Sequence, residues 1–218
     1  MAKATLTLSS KNYSSWSLRG WLLTKFSGLP FEERILPPDD ADARAEILLL
    51  SSSIRVPCLT HNGIAVWDTL AIAEYLAEVR PKAGLLPEDK AARARCRSIS
   101  GEMHSGFASL RSSLPMNLKG RFPGFRIWAS AQADIDRIRT IWNDCIDTWG
   151  GPWLFGEQRT MADAMYAPVA TRFRTYDVSL DAVSQAYCEQ ILAMPEMKLW
   201  IRDALAEPEE IDELEMEF

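Results

Sequence analysis

The stretch from Arg55 to Val79 constrains the fold of this chain more than any other. Asn62-Gly63 stands between two short apolar runs, and both residues tolerate the positive φ of a type I′ turn, so the pattern predicts a β-hairpin. Apolar residues then recur at the spacing of one helix face: Ile72, Tyr75, Leu76 and Val79. The sequence therefore predicts a strand, a tight turn, a second strand and a helix.

Asp68 and Thr69 stand in the first turn of that predicted helix. A helix N-terminus presents unpaired backbone N–H groups and a partial positive charge. The start of this helix is therefore a natural site for an anionic group.

The chain ahead of the hairpin alternates strand and helix patterns. Residues 4–8 and 31–36 are predicted strands, and residues 39–50 are a predicted helix with an acidic start. Serine before an apolar-periodic run is an N-cap signal, so the first helix should begin near Ser14 or Ser15. Gly20 lies inside that helix and should cost it about 1 kcal/mol. The order is strand, helix, strand, helix, hairpin, helix, ending near residue 80.

Beyond residue 80 the pattern changes to helices only. Residues 81–87 contain proline and glycine and predict a linker between a domain at 1–80 and a domain at 88–218. Thr160 and Asp163 form a capping-box pair, which indicates a helix start with a role in folding. The predicted helices of the second domain include residues 88–114, 132–149, 182–193 and 197–205. The acidic tail from residue 207 is expected to be a solvated end, with a lid over the site as the alternative.

Composition excludes several classes of protein. The 218 residues carry a net charge of −6, which argues against a nucleic-acid partner. No stretch approaches the ~18 apolar residues of a membrane span. The four cysteines are widely spaced without a C-x-x-C pair, and there are two histidines. That usage favours buried, reduced thiols in a cytoplasmic protein and predicts no metal site.

Val56-Pro57 at a strand start, the hairpin and the Asp68-Thr69 pair together resemble the glutathione-binding half of glutathione S-transferases. The chain is similar to cytosolic, bacterial, serine-type members of that superfamily. The resemblance implies an α+β two-domain fold: a thioredoxin-like βαβαββα domain followed by an all-α helical-bundle domain. Homodimers are usual in the family, so a homodimer is expected here.

The resemblance also implies roles for five residues. The backbone of Val56 would pair with the cysteinyl part of glutathione, and the Val56–Pro57 bond would be cis. Asp68 and Thr69 would take the γ-glutamyl end, where the family usually has Glu or Gln followed by Ser. Arg55 would reach the glycine carboxylate, with an exposed loop cation as the alternative. The alternative is a thioredoxin-like hairpin that binds no ligand.

A glutathione transferase needs a thiolate at neutral pH from a thiol whose free pKa is about 8.5. A hydroxyl at the start of the first helix can stabilise it. The loop Tyr13-Ser14-Ser15-Trp16 resembles the Ser-Ser-Cys-Ser loop of the zeta class, with Trp16 in place of the cysteine. Ser14 is therefore the candidate activating residue, with Ser15 and Tyr13 as alternatives. The serines would otherwise serve only as helix caps.

The electrophile is expected between this loop and the long helix after the linker. The candidates for lining that site are Tyr13, Phe107, Arg111 and Met116. Phe107 and Met116 have the alternative of an ordinary core position. Zeta-class isomerases use an arginine on the core helix of the second domain to hold a substrate carboxylate. Arg172 and Arg174 lie near that place, with surface positions as the alternative.

The sequence thus predicts a glutathione S-transferase that prepares the thiolate of bound glutathione, its co-substrate, for attack on a small hydrophobic or acidic electrophile. One alternative is a glutathione-dependent cis–trans isomerase of a maleyl-type diacid. Another is a non-catalytic binding or stress protein with the same fold.

Overall fold

A small mixed sheet begins the chain in the computed structural model, which describes residues 4–37 and 56–208. Its elements are β1 Ala4–Leu8, α1 Ser15–Phe26, β2 Phe31–Ile35, β3 Cys58–His61, β4 Ile64–Trp67 and α2 Thr69–Val79. The predicted helix at residues 39–50 lies outside the described residues. So do Arg55 and the tail beyond residue 208.

The strand order is β2-β1-β3-β4. β1 runs parallel to β2 and antiparallel to β3, and β3 runs antiparallel to β4. The hairpin between β3 and β4 is confirmed: Asn62 has φ 53° and Gly63 has φ 79°, as a type I′ turn requires. Alternate β1 side chains, Ala4, Leu6 and Leu8, are fully buried, so this face of the sheet carries the first core.

Between residues 81 and 208 the regular elements are helices, as predicted. After a 3-10 turn at Pro81–Ala83 they are α3 Lys90–Ser105, α4 Ala108–Ser113, α5 Ala129–Trp149, α6 Met161–Thr175, α7 Ala182–Ala193 and α8 Pro195–Leu205. The apolar face of α5 is buried at Ile135, Ile138, Trp142 and Cys145, while Trp149 at its end is partly buried. The two-domain α+β fold is therefore confirmed, while the domain boundaries at residues 80 and 87 stay predictions.

The single long helix predicted at residues 88–114 is wrong, because the chain forms two helices there. α3 ends at Ser105, and Phe107 has a left-handed backbone with φ 56°. The second helix, α4, receives a cap from a distant element: the Leu110 N–H donates to Asp134 Oδ2 on α5 at 2.9 Å. Apolar spacing carries no sign of a cap that comes from another helix, so the sequence did not reveal the break.

The Thr160–Asp163 pair caps α6, as predicted. Asp163 Oδ2 accepts the Thr160 N–H at 2.6 Å, and Asp163 Oδ1 accepts the Tyr187 hydroxyl at 2.8 Å. Asp163 is fully buried, and burial raises its pKa despite these bonds. This carboxylate is engaged in holding α6 and α7 in place.

α1 lies between the two halves of the molecule. It contacts α2 on one side and α6 on the other. On the α6 side, Arg19 Nε donates to the Met165 carbonyl at 2.8 Å, and Arg19 is fully buried. The helix that follows the serine loop is therefore fixed by both domains.

Gly20 lets α1 approach the start of β3. A β-carbon at Gly20 would lie 2.6 Å from Pro57 Cγ and 2.7 Å from Pro57 Cβ. Real β-carbon contacts of this length do not occur in well-packed interiors, so no larger residue fits there without displacing Pro57. The glycine that looks unfavourable for a helix is thus required by the packing.

Replacing Gly20 with alanine should lower the free energy of unfolding by about 1–3 kcal/mol, because the added methyl group overpacks the contact with Pro57. Gly101→Ala is the matched control, since Gly101 also lies inside a helix and its β-carbon would meet nothing within 4 Å. That variant should gain about 0.5–1 kcal/mol from helix propensity. Urea unfolding of both variants measures the difference. An equal increase in the free energy of unfolding of both variants would contradict the packing argument.

Candidate functional site

Ser14 caps α1 with its side chain. Ser14 Oγ accepts the Ser17 N–H at 3.0 Å, and the Ser14 N–H donates to the Ser10 carbonyl at 3.1 Å. Ser14 is fully buried, and Ser15, the first residue of α1, is 7% exposed. The predicted serine loop therefore lies at the N-terminus of α1, where the helix dipole favours negative charge.

The second domain holds this loop through two buried asparagines. Asn12 Oδ1 accepts the N–H groups of Leu118 at 2.7 Å and of Lys119 at 3.0 Å. Asn12 Nδ2 donates to Asn117 Oδ1 at 3.2 Å, and both asparagines are fully buried. Buried amides that are satisfied in this way fix the loop relative to the segment after α4.

Lys11 ties the same loop to the sheet and to the last helix. Its Nζ pairs with Glu33 at 2.7 Å and with Asp203 at 2.9 Å, and the Trp200 indole donates to its carbonyl at 2.9 Å. Burial works against the charged ammonium, but the two carboxylates raise the pKa of Lys11 above its ordinary value. Lys11 therefore stays charged and joins three elements.

The start of β3 and the start of α2 form the next part of the site. The Val56–Pro57 peptide bond is cis, as expected, and Val56 is 7% exposed. Asp68 caps α2: its Oδ1 accepts the Leu70 N–H at 2.8 Å, and its backbone has φ 74°. A positive φ in a residue with a β-carbon is strained, and such residues cluster at functional sites.

His104, on α3 of the second domain, contacts both Asp68 and Trp16. His104 Nε2 is hydrogen-bonded to Asp68 Oδ2, and its ring packs edge-on against Trp16 at 5.1 Å. Partial burial opposes the charge on Asp68, but the bond and charge of His104, together with two backbone N–H groups, lower the pKa of Asp68. The carboxylate is therefore ionised at neutral pH and links the two domains beside the serine loop.

Thr69 carries an unsatisfied polar atom. It is 1% exposed, and its Oγ1 has no hydrogen-bond partner within residues 4–37 and 56–208. Leaving a buried hydroxyl unbonded costs about 1–3 kcal/mol, so such a group in a folded protein needs an explanation. Its position at the first residue of α2 points to a ligand at that helix N-terminus.

Two arginines flank the Trp16 ring. The guanidinium of Arg19 lies 4.6 Å and that of Arg111 4.8 Å from the ring centroid. Behind them Arg172 is 4% exposed and donates to the Leu114 carbonyl at 2.8 Å. Burial, with a smaller contribution from Arg111, lowers the pKa of Arg172 to about 10. The surface position considered for Arg172 is therefore wrong.

The candidates for lining the electrophile site fall into two groups. Tyr13, Phe107 and Met116 are 4%, 7% and 1% exposed, and Phe107 and Met116 belong to the main hydrophobic cluster. Arg111 is partly exposed beside Trp16. The structure thus brings Arg111 to the serine loop, while Phe107 and Met116 take up core positions. Their roles toward a ligand stay predictions.

Sequence reasoning missed several residues that shape the site. These are Asn12, His104, Asn117 and Glu207. Each is a single polar residue without a motif, and each acts on a partner more than 30 positions away. No signal in one sequence marks such pairs.

Two classes of feature are absent from the described residues. No group of three or more His, Cys, Asp or Glu side chains there is arranged to hold a metal ion. No helix in the same ranges is long and apolar enough to cross a membrane.

Comparison with known families gives two matches. A family model of the glutathione S-transferase N-terminal domain matches residues 13–79, and one of the C-terminal domain matches residues 91–203. Maleylacetoacetate isomerase of Rattus norvegicus is 31% identical over 135 residues, 62% of this chain and 61% of that protein. Glutathione S-transferase L1 of Arabidopsis thaliana is 26% identical over 184 residues, 84% of this chain and 70% of that protein. The chain thus spans about three fifths of the length of the isomerase relative.

Solved structures show the same fold. A glutathione transferase homologue from Burkholderia, with bound glutathione, has a TM-score of 0.69 at 24% identity and covers 95% of this chain and 100% of its own. Maleylacetoacetate isomerase from Anaeromyxobacter dehalogenans, with glutathione in the active site, has a TM-score of 0.64 at 23% identity, covering 96% and 99%.

The charge of Asp68 should contribute pH-dependent stability. Because its pKa is lower in the folded state, the contribution is present above pH ~4 and is lost as pH falls through the folded pKa. Asp68→Asn keeps a capping oxygen and tolerates the positive φ but removes the charge. The variant should be less stable at pH 5 by under about 1 kcal/mol, since the pair is partly exposed.

That difference should shrink as pH falls through the folded pKa, which lies below the ordinary value of about 4. Urea unfolding at pH 5 and at a series of lower pH values measures it. The same substitution in a His104→Asn background is the control, because it removes the interaction between the two side chains. A difference between wild type and Asp68→Asn that stays constant with pH would contradict this account.

Proposed function

Since this chain belongs to the glutathione S-transferase family, we propose that it binds glutathione and activates the thiol for attack on a small electrophile. The observation that carries the proposal is the buried Thr69 hydroxyl, which lacks a partner in the described part of the chain. A ligand carboxylate at the N-terminus of α2 supplies the missing acceptor. It is also favoured there by the helix dipole.

The γ-glutamyl end of glutathione carries both a carboxylate and an ammonium group. Its carboxylate takes the Thr69 hydroxyl, and its ammonium approaches Asp68. The Asp68 oxygens already accept Leu70 N–H and bond His104. A carboxylate has about four acceptor positions, so Asp68 has capacity for the ammonium group as well. His104 and the helix cap hold the acid in place for that contact.

The remaining parts of glutathione are assigned by the family pattern. The Val56 backbone pairs with the cysteinyl portion as an added strand would. This placement directs the thiol toward α1, whose Gly20 packs on the adjacent Pro57. Arg55 takes the glycine carboxylate as a charge-assisted partner.

Ser14 is the group that stabilises the thiolate. Its oxygen accepts the Ser17 N–H, and a serine hydroxyl can act as a donor as well as an acceptor. The thiol loses its proton to solvent, and the Ser14 O–H then donates to the sulfur anion. The N-terminus of α1 adds a favourable field. Fixed donors of this kind stabilise charge without reorganising during the reaction.

The reaction is nucleophilic substitution or addition at an electrophilic carbon. The thiolate lone pair forms a carbon–sulfur bond, and either a leaving group departs with its electron pair or the adduct takes up a proton from solvent. The protein supplies orientation of the two reactants. A detoxifying conjugation has this chemistry.

Arg111 and Arg172 favour an acidic electrophile over a neutral one. Arg172 is buried with a lowered pKa, and no carboxylate of the described ranges pairs with it. Arg111 lies beside Trp16 in the same region. An anionic substrate would compensate the charge of Arg172. This observation supports the second candidate, glutathione-dependent isomerisation of a maleyl-type diacid, in which the thiolate adds and is later expelled without net conjugation.

We place the protein in the cytoplasm as a homodimer. Ile64 and Trp67 on the edge strand β4 are 52% and 49% exposed. Exposed apolar side chains on an edge strand are normally covered by a partner. Their exposure in the single chain therefore supports a dimer that covers β4.

Thr69→Val tests the glutathione site directly. Removing the unbonded hydroxyl should leave the free energy of unfolding unchanged or slightly higher. The dissociation constant for glutathione should rise about tenfold, because one hydrogen bond to a charged group is lost. Titration calorimetry and urea unfolding measure the two quantities.

Thr171→Val is the matched control for that experiment. Thr171 is equally buried, but its hydroxyl donates to the Pro168 carbonyl at 2.8 Å. The control should lose about 1 kcal/mol of stability and bind glutathione as wild type does. An unchanged dissociation constant in Thr69→Val would remove the main support for the proposal.

Ser14→Ala tests the assignment of the activating hydroxyl. The pKa of the bound glutathione thiol should rise by about 1–2 units, from the loss of one charge-assisted hydrogen bond. The absorbance of the bound thiolate during a pH titration measures it, with Ser15→Ala as the control. A shift in Ser15→Ala instead would reassign the role. Failure of wild type to bind glutathione would favour the non-catalytic binding protein.

Turnover separates the two catalytic candidates. A general electrophile that forms a stable glutathione adduct favours the transferase. A maleyl-type acid that isomerises without a stable adduct favours the isomerase.

A further inference from the structure

Glu207, just after the last helix, binds the loop that precedes Ser14. Its Oε1 accepts the Lys11 N–H at 2.6 Å, and its Oε2 accepts the Asn12 N–H at 3.1 Å. The Ser10 hydroxyl also donates to Oε2 at 2.6 Å. One carboxylate near the end of the chain therefore receives three donors from consecutive residues near its beginning.

Ser10 extends this contact to the rest of the loop. Its Oγ accepts the N–H groups of Asn12 at 3.1 Å and of Tyr13 at 3.2 Å. Its carbonyl accepts the Ser14 N–H at 3.1 Å. The backbone N–H groups of residues 11–14 are thus all bonded either to Glu207 or to Ser10, which Glu207 holds.

Successive N–H groups that point into one concavity form a nest that favours an anion. The Glu207 carboxylate occupies such a nest at Lys11 and Asn12. A carboxylate suits it because it has acceptor positions only, whereas an amide or a hydroxyl would direct a donor at part of the nest. The preference for a charged acceptor here follows from geometry.

Glu207 is itself fixed by the second domain. Its carbonyl accepts Lys119 Nζ at 2.6 Å, and its N–H donates to the Ala204 carbonyl at 3.2 Å. Lys119 is also bonded through its N–H to Asn12 Oδ1. The backbone of Glu207 is therefore fixed by Lys119 and Ala204, while its carboxylate binds the loop.

We propose that Glu207 is a positioning residue of the reaction, which orders residues 10–13 and through them sets the place of the Ser14 hydroxyl. This inference rests on the proposed function of Ser14. The sequence predicts a solvated tail from residue 207 onward, but Glu207 itself does not fit this prediction, because its carboxylate binds the loop. The segment just after α8 therefore supports the loop that precedes Ser14.

Neighbouring Asp203 does not share this role. It contacts the loop through the Lys11 side chain, which also pairs with Glu33. Loss of Asp203 leaves Lys11 with one carboxylate and leaves the loop backbone untouched. Loss of the Glu207 side chain removes the acceptor of two backbone N–H groups at once.

The test compares Glu207→Ala, Glu207→Gln and a control, Glu189→Ala. Glu189 is exposed on α7, bonds Gln185 of the same helix and lies outside the loop contacts, so its loss changes the net charge equally. Two properties are measured: amide hydrogen exchange of residues 11–13 without ligand, and the pKa of the bound glutathione thiol.

In Glu207→Ala, exchange at residues 11–13 should accelerate about tenfold or more, because each lost bond contributes about 1 kcal/mol. The thiol pKa should rise, and kcat should fall more than KM changes. Glu207→Gln, which keeps one acceptor oxygen, should lie between wild type and alanine. Glu189→Ala should match wild type in both properties.

Two results would overturn the inference. Unchanged exchange at residues 11–13 in Glu207→Ala would show that the loop does not depend on Glu207. Faster exchange with an unchanged thiol pKa would reduce Glu207 to a purely structural contact. If wild type binds no glutathione, the proposed function fails, and with it the role toward Ser14. In that case, amide hydrogen exchange of residues 11–13 without ligand still shows whether Glu207 orders the loop.

Discussion

The contact between the backbone of α1 and Pro57 is the constraint on which the rest of the site depends. Because Gly20 has no side chain, the helix lies directly on the proline ring, at a distance that a β-carbon would close to 2.6 Å. The middle of α1 is thereby fixed against the residue that precedes β3. Ser14, Val56 and Asp68 stand just before α1, β3 and α2, and α2 also contacts α1.

The second domain completes the site from the opposite side. His104 reaches Asp68, Asn117 reaches Asn12, and Glu207 reaches the loop backbone. A hydroxyl that stabilises a thiolate must be held within a fraction of an ångström, since an unheld donor would reorganise when the charge forms. Contacts of three kinds, from three segments far apart in the chain, supply that rigidity. The helical domain therefore fixes the serine loop and the Asp68 cap.

The sequence predicted those features of the fold that depend on residues close together in the chain. The type I′ turn at Asn62-Gly63, the cap at Ser14 and the box at Thr160 and Asp163 follow from residue types and spacing, and the structure has them. The break at Phe107 was missed because its capping residue belongs to another helix.

The functional site shows the same difference: some of its residues can be predicted from local sequence patterns, but the distant residues that contact them cannot. The resemblance to a family supplied candidate roles for Ser14 and Asp68, whereas His104, Asn117 and Glu207, which hold the loop and the Asp68 cap, lie on other segments. Gly20 is the clearest example. Helix propensity alone makes it unfavourable, and only the position of Pro57 explains it.

The unbonded hydroxyl of Thr69 contrasts with the serine loop, where buried polar side chains are hydrogen-bonded. Asn12 makes three bonds with its side chain, and Ser10 makes three with its hydroxyl. A protein that satisfies these groups and leaves a buried hydroxyl unbonded at a helix N-terminus carries a local cost of about 1–3 kcal/mol. On the proposed function, a ligand carboxylate at this helix N-terminus would remove that cost on binding. The backbone of Asp68 is strained as well, at φ 74°, and its bonds to α2 and His104 hold it in that conformation beside Thr69.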